Sequence, residues 1–415
     1  MATQLKSQSA QFDPSATDLW LTRSWPELFE QMRREDPLHF TSDSRYGPFW
    51  SATKYKDIVE IEALPKIFSS SWEYSGITIA DRPEDSDEEP MPMFIAMDPP
   101  EHTPQRRTVS PKFTPSEINF MEPEIRERTG KVLDSLPVGE AFDWVDLVSI
   151  ELTTGMLALL FDFPWDERRK LTRWSDYAGD LNAANDEEFA KERMNVMYEM
   201  GMYFAGLWEM KKQQEPGRDL ISMMQASEAM NHMPERMFIG NLILLIVGGN
   251  DTTRNSMTAV ARTMHMWPEE WEKVRGASEA EGSKEVKNAV QELIRWQTPL
   301  AHMRRTALED YELRGKTIRK GDKVIMWYAS ANRDEEMFED GDRFIADRDN
   351  ARRQLAFGYG IHRCVGARLA ELQLTVLVEE MMKRNMQVTC QGEPERVDSC
   401  FVNGYRKQMV TVTRD

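Results

Sequence analysis

The chain has 415 residues, 40% of them apolar, and a formal net charge of −18. That is enough apolar material for a large core, and the acidity argues against nucleic acid or an anionic membrane as the main partner. No run approaches the ~18 consecutive apolar residues of a membrane span, so no integral membrane segment is expected.

The polar N-terminus lacks the basic-then-apolar order of a signal peptide, and a cytoplasmic protein is the expectation. Residues 1–16 read as a flexible tail on a single unit spanning 1–415, since no linker or internal repeat divides the chain. A β-like stretch covers about Leu38–Thr53. The acidic, proline-bounded segment from Arg82 to Pro90 reads as a mobile loop, too charged to pack. In the segment Asp98–Arg106, His102 and Arg106 stand four apart and share a helix face if Pro104 lies in the first turn; a solvated helix charge is the alternative. Helical patterns dominate from about Pro115 to Trp296, and strand-like pieces return at Tyr311–Leu313, Lys323–Trp327 and from Met386. The fold class is mainly α with a smaller β portion.

From about Pro234 to Met266 the pattern is one helix, about 50 Å long at 1.5 Å per residue. Gly248 and Gly249 interrupt it, each costing ~1 kcal/mol relative to alanine, and a ligand pressed against the helix would offset that cost. Asp251 and Thr252 follow, an acid and a hydroxyl able to pass protons to an oxygen ligand in the break. A helix–helix packing notch with a solvated Asp251 explains the same residues. Further on, Glu292 and Arg295 share a helix face, a spacing that Glu30 and Arg33 also have.

The most informative segment comes late: Phe357-Gly358-Tyr359-Gly360-Ile361-His362-Arg363-Cys364-Val365-Gly366. Glycines at 358 and 360 permit tight turns and a close approach to a flat ring, and Gly366 lets the next helix pack down. Cys364 then sits at a helix N-terminus, where N–H groups stabilise a thiolate. This is the layout of a haem-thiolate loop, and a thiolate on haem iron favours O–O cleavage; a buried free cysteine in a turn is the alternative. Cys390 and Cys400 are too few and too late for a disulfide framework and read as inert core thiols.

These motifs, in this order, resemble the cytochrome P450 superfamily of haem-thiolate monooxygenases over most of the chain. The resemblance implies a single-domain fold with a long central helix over haem b, Cys364 as the iron ligand, and Phe357, Gly360, His362 and Gly366 completing the signature. It implies that Gly249, Asp251 and Thr252 form the oxygen-activation motif, with Gly248 where alanine is frequent. Glu292 and Arg295 correspond to the Glu-X-X-Arg helix, with Arg348 as partner. His102, Arg106, Arg305 and His362 fall at positions that hold the haem propionates, although Arg304 could serve instead of Arg305. Gln354 stands where a histidine is common, which leaves one propionate contact neutral or unfilled.

The wording around Glu101–Arg107 and Gly248–Ser256 is similar to bacterial alkane and fatty-acid terminal hydroxylases. That resemblance implies a hydrophobic small-molecule substrate, a medium-chain alkane, alcohol or fatty acid oxidised at its terminal methyl. O2 and reduced ferredoxin would be the cosubstrates, with an NAD(P)H-dependent ferredoxin reductase behind them. Hydroxylation of a compact terpenoid is an alternative. So is a peroxide-using fatty-acid peroxygenase or decarboxylase, for which Arg254 could hold a carboxylate. Candidate pocket walls are Ile95, Leu244, Val247, Gly248, Leu300, Met303 and Phe401. Arg343, Arg348, Arg352, Arg353, Arg363 and Arg368, with Arg107 and Lys112, make a basic surface on which an acidic ferredoxin could dock, although Arg348 is also the expected internal partner of Glu292.

Overall fold

Helix starts follow from short local signals. Prolines occupy the first turn of Trp25–Glu35 and Pro115–Asp134, where a missing N–H costs nothing. The Asp219 side chain accepts from Ser222 N–H to start Leu220–Ala226, and Ser283 accepts from Val286 N–H to start Lys284–Gln297. The computed structural model describes residues 12–82, 91–179, 187–275 and 283–414.

Helices dominate, and two larger sheets flank them. The first runs in the order Leu38–Thr41, Phe49–Ala52, Lys323–Trp327, His302–Ala307, Phe68–Ser69; only Phe49–Ala52 and Lys323–Trp327 pair in parallel. The second joins Ala141–Asp143, Met409–Arg414 and Met386–Cys390. The expected strands at 38–53, 311–313, 323–327 and after 386 are thus present, and the fold is mainly α with a smaller β portion.

One helix, Glu235–Met266, runs for 32 residues through the centre. It packs on Glu151–Phe161, Arg169–Gly179, Lys284–Gln297 and Ala367–Lys383, and on the strand Met386–Cys390. Such a position demands burial all round, and from Asn250 to Met264 every residue except Thr252 is buried. No helix among the described residues is long and apolar enough to cross a membrane.

The N-terminal expectation needs correction. Phe12, Pro14 and Ser15 are buried, with Pro14 O accepting the Trp20 indole N–H at 2.9 Å and Phe12 edge-on to His39. The tail expected over 1–16 therefore packs from residue 12 onward, because Phe12 gives it an apolar anchor. Residues 1–11, and residues 83–90 of the acidic loop, lie outside the described residues.

Candidate active site

The cysteine loop is built as its glycines require. Gly358 and Gly360 have φ of 67° and 66°, a region that side chains disfavour, and Cys364 N–H closes the loop on Phe357 O at 2.8 Å. Their tight approach, however, is to protein. A Cβ on Gly360 would collide with the carbonyl of Glu62, at the end of the helix Tyr55–Glu62. Glu62 Oε2 accepts the Tyr359 N–H at 2.7 Å, and Oε1 accepts from Tyr328 Oη at 2.7 Å and Arg305 Nη2 at 3.2 Å. Glu62 thus latches the loop to the helix Tyr55–Glu62. Gly366 is less constrained than expected, since a Cβ there would stand 3.8 Å from Phe113 and 4.0 Å from Cys364 Sγ, ordinary contacts.

Cys364 is a free thiol that lies deep among neighbouring protein yet keeps accessible surface. Burial pushes its pKa up, while the Gly366 N–H, Arg106 and Arg363 pull the other way. The other two thiols are buried, Cys390 pushed up to about 11 and Cys400 to about 12 by burial, as suits inert core residues.

Four basic side chains converge beside the loop. The His102 and His362 rings lie 4.3 Å apart. Burial, then Arg106, lowers His102 to about 4, and burial, then Arg305, His102 and Arg106, lowers His362 to about 2. His102 Nδ1 and Nε2 and His362 Nδ1 are buried without partners, a costly state for polar groups. Two carboxylates stand among them: Glu62, paired with Arg305, and Asp98, which acts on His102. Donors in such excess, next to a free thiol, suit a flat iron-bearing ring with two carboxylates, so these residues fit haem b. Strand alternation separates the two arginines. Arg304 turns to Asp81, with Nη1 2.6 Å from Oδ1, and Arg305 faces Glu62. Gln354 turns inward, its Oε1 accepting the Ala356 N–H at 2.7 Å. Arg106 donates to Arg363 O, which ties the clamp helix His102–Val109 to the loop.

The long helix presents one open face. Between Ile239 and Met264 the residues not fully buried are Leu244, Val247, Gly248, Gly249 and Thr252, and spacings of three and four put Leu244, Val247, Gly248 and Thr252 on one side. Nothing stands within 4 Å of a Cβ on Gly248, whereas a Cβ on Gly249 would lie 2.8 Å from Leu157. Gly249 lets the helix Glu151–Phe161 pack close, and Gly248 is the opening. Thr252 Oγ1 donates to Gly248 O at 2.8 Å. Leu244 and Val247 join the apolar cluster that includes Phe94, Met97 and, next to the thiol, Val365.

Asp251 is buried and hydrogen-bonded rather than solvated. Its Oδ1 accepts from Ser175 Oγ at 2.7 Å, Asn250 Nδ2 at 3.0 Å and Arg254 Nη2 at 3.2 Å. Burial pushes its pKa up, against the pull of Arg254.

Comparison with known proteins agrees with this geometry. Residues 44–409 match the family model of cytochrome P450. The chain belongs to the cytochrome P450 family. A solved P450, CYP153D17 from Sphingomonas sp. PAMC 26605, is 56% identical with a TM-score of 0.91, covering 97% of this chain and 99% of that one. A linalool 8-monooxygenase of Pseudomonas putida is 35% identical over 95% of this chain and 97% of its own length. A methyl-branched lipid omega-hydroxylase of Mycobacterium tuberculosis is 32% identical over 92% and 90%. Membership makes the chain a P450 monooxygenase that uses haem, a cysteine thiolate and O2.

The remaining P450 positions divide. Glu292 and Arg295 form a fully buried bidentate pair at 2.6 and 2.8 Å, and Arg348 Nε reaches Glu292 at 2.9 Å. Arg295 also donates to the carbonyls of Asn332, Gly341 and Arg343, so the triad pins the loop ahead of the cysteine. Ile95 and Leu300 are half-buried. Met303 packs with the cluster around Ile58 and Phe68, and Phe401 is buried edge-on to His302. Lys112, expected on the docking surface, is buried and paired with Glu117.

Sequence reasoning missed Glu62 and Asn241. Asn241, one turn before Leu244, accepts from Phe94 N–H and donates to Gln105 Oε1, both at 3.0 Å, while a Cβ on Gly240 would collide with the Pro92 carbonyl. A Gly-Asn pair at the start of the open face was the one available signal.

Proposed function

We propose that this P450 inserts one atom of O2 into a terminal C–H bond of an apolar chain, such as a medium-chain alkane, alcohol or fatty acid, using electrons from a ferredoxin. The observation that carries the reading is the open face of the long helix, where apolar Leu244 and Val247 lead to the gap at Gly248 and the hydroxyl of Thr252. Bound haem would supply the O2 chemistry; Cys364 would hold its iron, and His102, Arg106, Arg305 and His362 its carboxylates. Thr252 offers an O–H at the opening. Asp251 is the proton-holding group beside it. Leu244 and Val247 exclude water and align a chain, since attack at a methyl requires its end to be held in register.

The relatives support the chain-end position: their names specify carbon 8 of linalool and the omega carbon of methyl-branched lipids. The linalool enzyme also favours a second reading, a branched terpenoid chain as substrate. Against peroxygenase chemistry stands Arg254, which is buried and paired with Asp251 and Asp176.

For electron entry, Arg107, Arg352, Arg353, Arg363 and Arg368 remain exposed, while Arg343 pairs with Glu269 and Glu270. Ferredoxin reduction rates should fall with salt, as screening over ~10 Å at 0.1 M demands, and fall again in Arg352→Glu. The deciding experiment is product analysis with octane, decane, dodecanoic acid and linalool, with ferredoxin and reductase supplied. Chain-end alcohols support the reading; mainly internal alcohols would overturn it.

A further inference from the structure

Away from the haem site, a cavity of about 450 Å³ opens between the helix Pro115–Asp134 and the helical stretch 145–161. None of its lining residues belongs to the site described above. Its size falls within the roughly 300–1,000 Å³ of small-molecule sites. The walls are apolar, formed by Ile125, Val132, Leu147, Met156 and Leu159, with Met257 of the long helix among the lining residues. One wall is unusual in backbone. Val145–Ile150 is π-helical before the chain continues as Glu151–Phe161, and π turns recur at functional sites because they displace side chains from the regular helical face.

The cavity also carries an excess of positive charge. Arg128, Lys131, Arg168 and Arg169 line it with a single carboxylate, Glu151, in a chain of net charge −18. Two of these cations stack on Trp165, with Arg128 3.8 Å and Arg168 4.3 Å from its ring centroid. A Cβ on Gly155 would press within 3.1 Å of the indole, so the glycine makes room for this stack. The cations do have partners: Arg128 pairs with Glu124, Lys131 with Glu127, Arg168 and Arg169 with Glu151, and Arg169 with Asp146. Glu124, Glu127 and Asp146 are not among the lining residues. The pairs of Arg128 with Glu124, Lys131 with Glu127 and Arg169 with Asp146 are solvent-exposed enough to contribute little, whereas Arg168 and Glu151 are largely buried together, at 20% and 17% side-chain exposure. Arg168 Nε, moreover, is buried without a partner.

We propose that this cavity is a second binding site, for an alkyl carboxylate. The chain lies along the apolar wall and the carboxylate meets Arg128 and Arg168. The proposal does not depend on the substrate assigned to the haem site. The test is calorimetric titration of dodecanoate into haem-loaded protein whose iron is saturated with 4-phenylimidazole, which closes the haem site. One equivalent should bind, at least tenfold more weakly in Arg168→Gln and in Leu159→Trp, which fills the cavity. Dodecan-1-ol, with the same chain and no charge, should bind at least tenfold more weakly than dodecanoate. Retention of the carbon monoxide band shows that each variant is folded; Leu159→Trp decides alone if Arg168→Gln does not fold. Absence of binding, binding that the variants leave unchanged, or equal binding of the alcohol would each overturn the proposal.

Discussion

Arg254 Nη2 lies 3.2 Å from Asp251 Oδ1, one turn along the same helix, and Arg254 Nη1 lies 2.8 Å from Asp176 Oδ1 on the helix Arg169–Gly179. The half-exposed Asp176 is thereby linked through a buried guanidinium to the acid beside Thr252. A buried carboxylate that loses its partner is strongly disfavoured as the anion, so Arg254 sets how readily Asp251 holds a proton. Asp251→Asn removes the titrating group while keeping hydrogen-bonding capacity. Its O2-driven turnover should fall by ~100-fold or more, with substrate binding and the carbon monoxide band unchanged. Turnover within twofold of the parent would assign Asp251 to packing alone.

Thr252 needs a different readout. It is the one position from Asn250 to Met264 that is not buried, and its hydroxyl rests on Gly248 O at 2.8 Å. In Thr252→Ala the helix is kept but the donor is gone, so electrons should still be consumed while hydrogen peroxide replaces much of the product. Oxygen consumption, peroxide and product measured together check this; unchanged product yield per electron would count against it.

Ligation is separable from both. Cys364→His should abolish the red-shifted Soret band of the reduced carbon monoxide complex, whereas Cys390→Ser and Cys400→Ser should leave it in place. Cys400 is fully buried and Cys390 bonds weakly to Ala261 O at 3.8 Å, so these two variants report only on stability.

What could be read from sequence was what local chemistry dictates. The cysteine loop was legible because two positive-φ glycines and a helix start must stand at fixed offsets from Cys364, and the long helix because Pro234 begins it and its pattern resumes beyond the two glycines to reach Met266. Glu62 was not, since its bond to Tyr359 spans 297 positions and nothing local marks it. Gly248 and Gly249 differ by one 100° step of the helix, which decides between open space and Leu157 and depends on where Glu151–Phe161 lies. Lys112 failed for the same reason: a cationic side chain does not declare which neighbour will cover it.

Asn241 links three segments by side chain alone. Asn241→Leu keeps the branched shape but leaves the Phe94 N–H and Gln105 Oε1 unpaired in the interior, at ~1–3 kcal/mol for each unsatisfied group. The variant should lose about 2–6 kcal/mol of stability by denaturant unfolding. The segment carrying Ile95 should loosen with it, so a larger share of product should be oxidised one carbon from the chain end. A stability loss with unchanged regiochemistry would remove Ile95 from the substrate wall.

His102 gives a proton count. In the haem-free protein, burial and then Arg106 hold its pKa at about 4, below the 6.5 of an ordinary histidine. The folded state therefore refuses a proton that the unfolded chain accepts, and this contribution to stability, present above pH 6.5, is lost as pH falls toward 4. Unfolding midpoints of the haem-free protein should drop over that window, less so in His102→Gln, which cannot titrate. Haem binding reverses the sign of the local field, because a carboxylate beside the ring favours its protonated form. Loading haem at pH 5.5 in weak buffer should therefore take up protons, and His102→Gln should take up fewer. Equal uptake by the two proteins would mean that His102 does not meet a propionate.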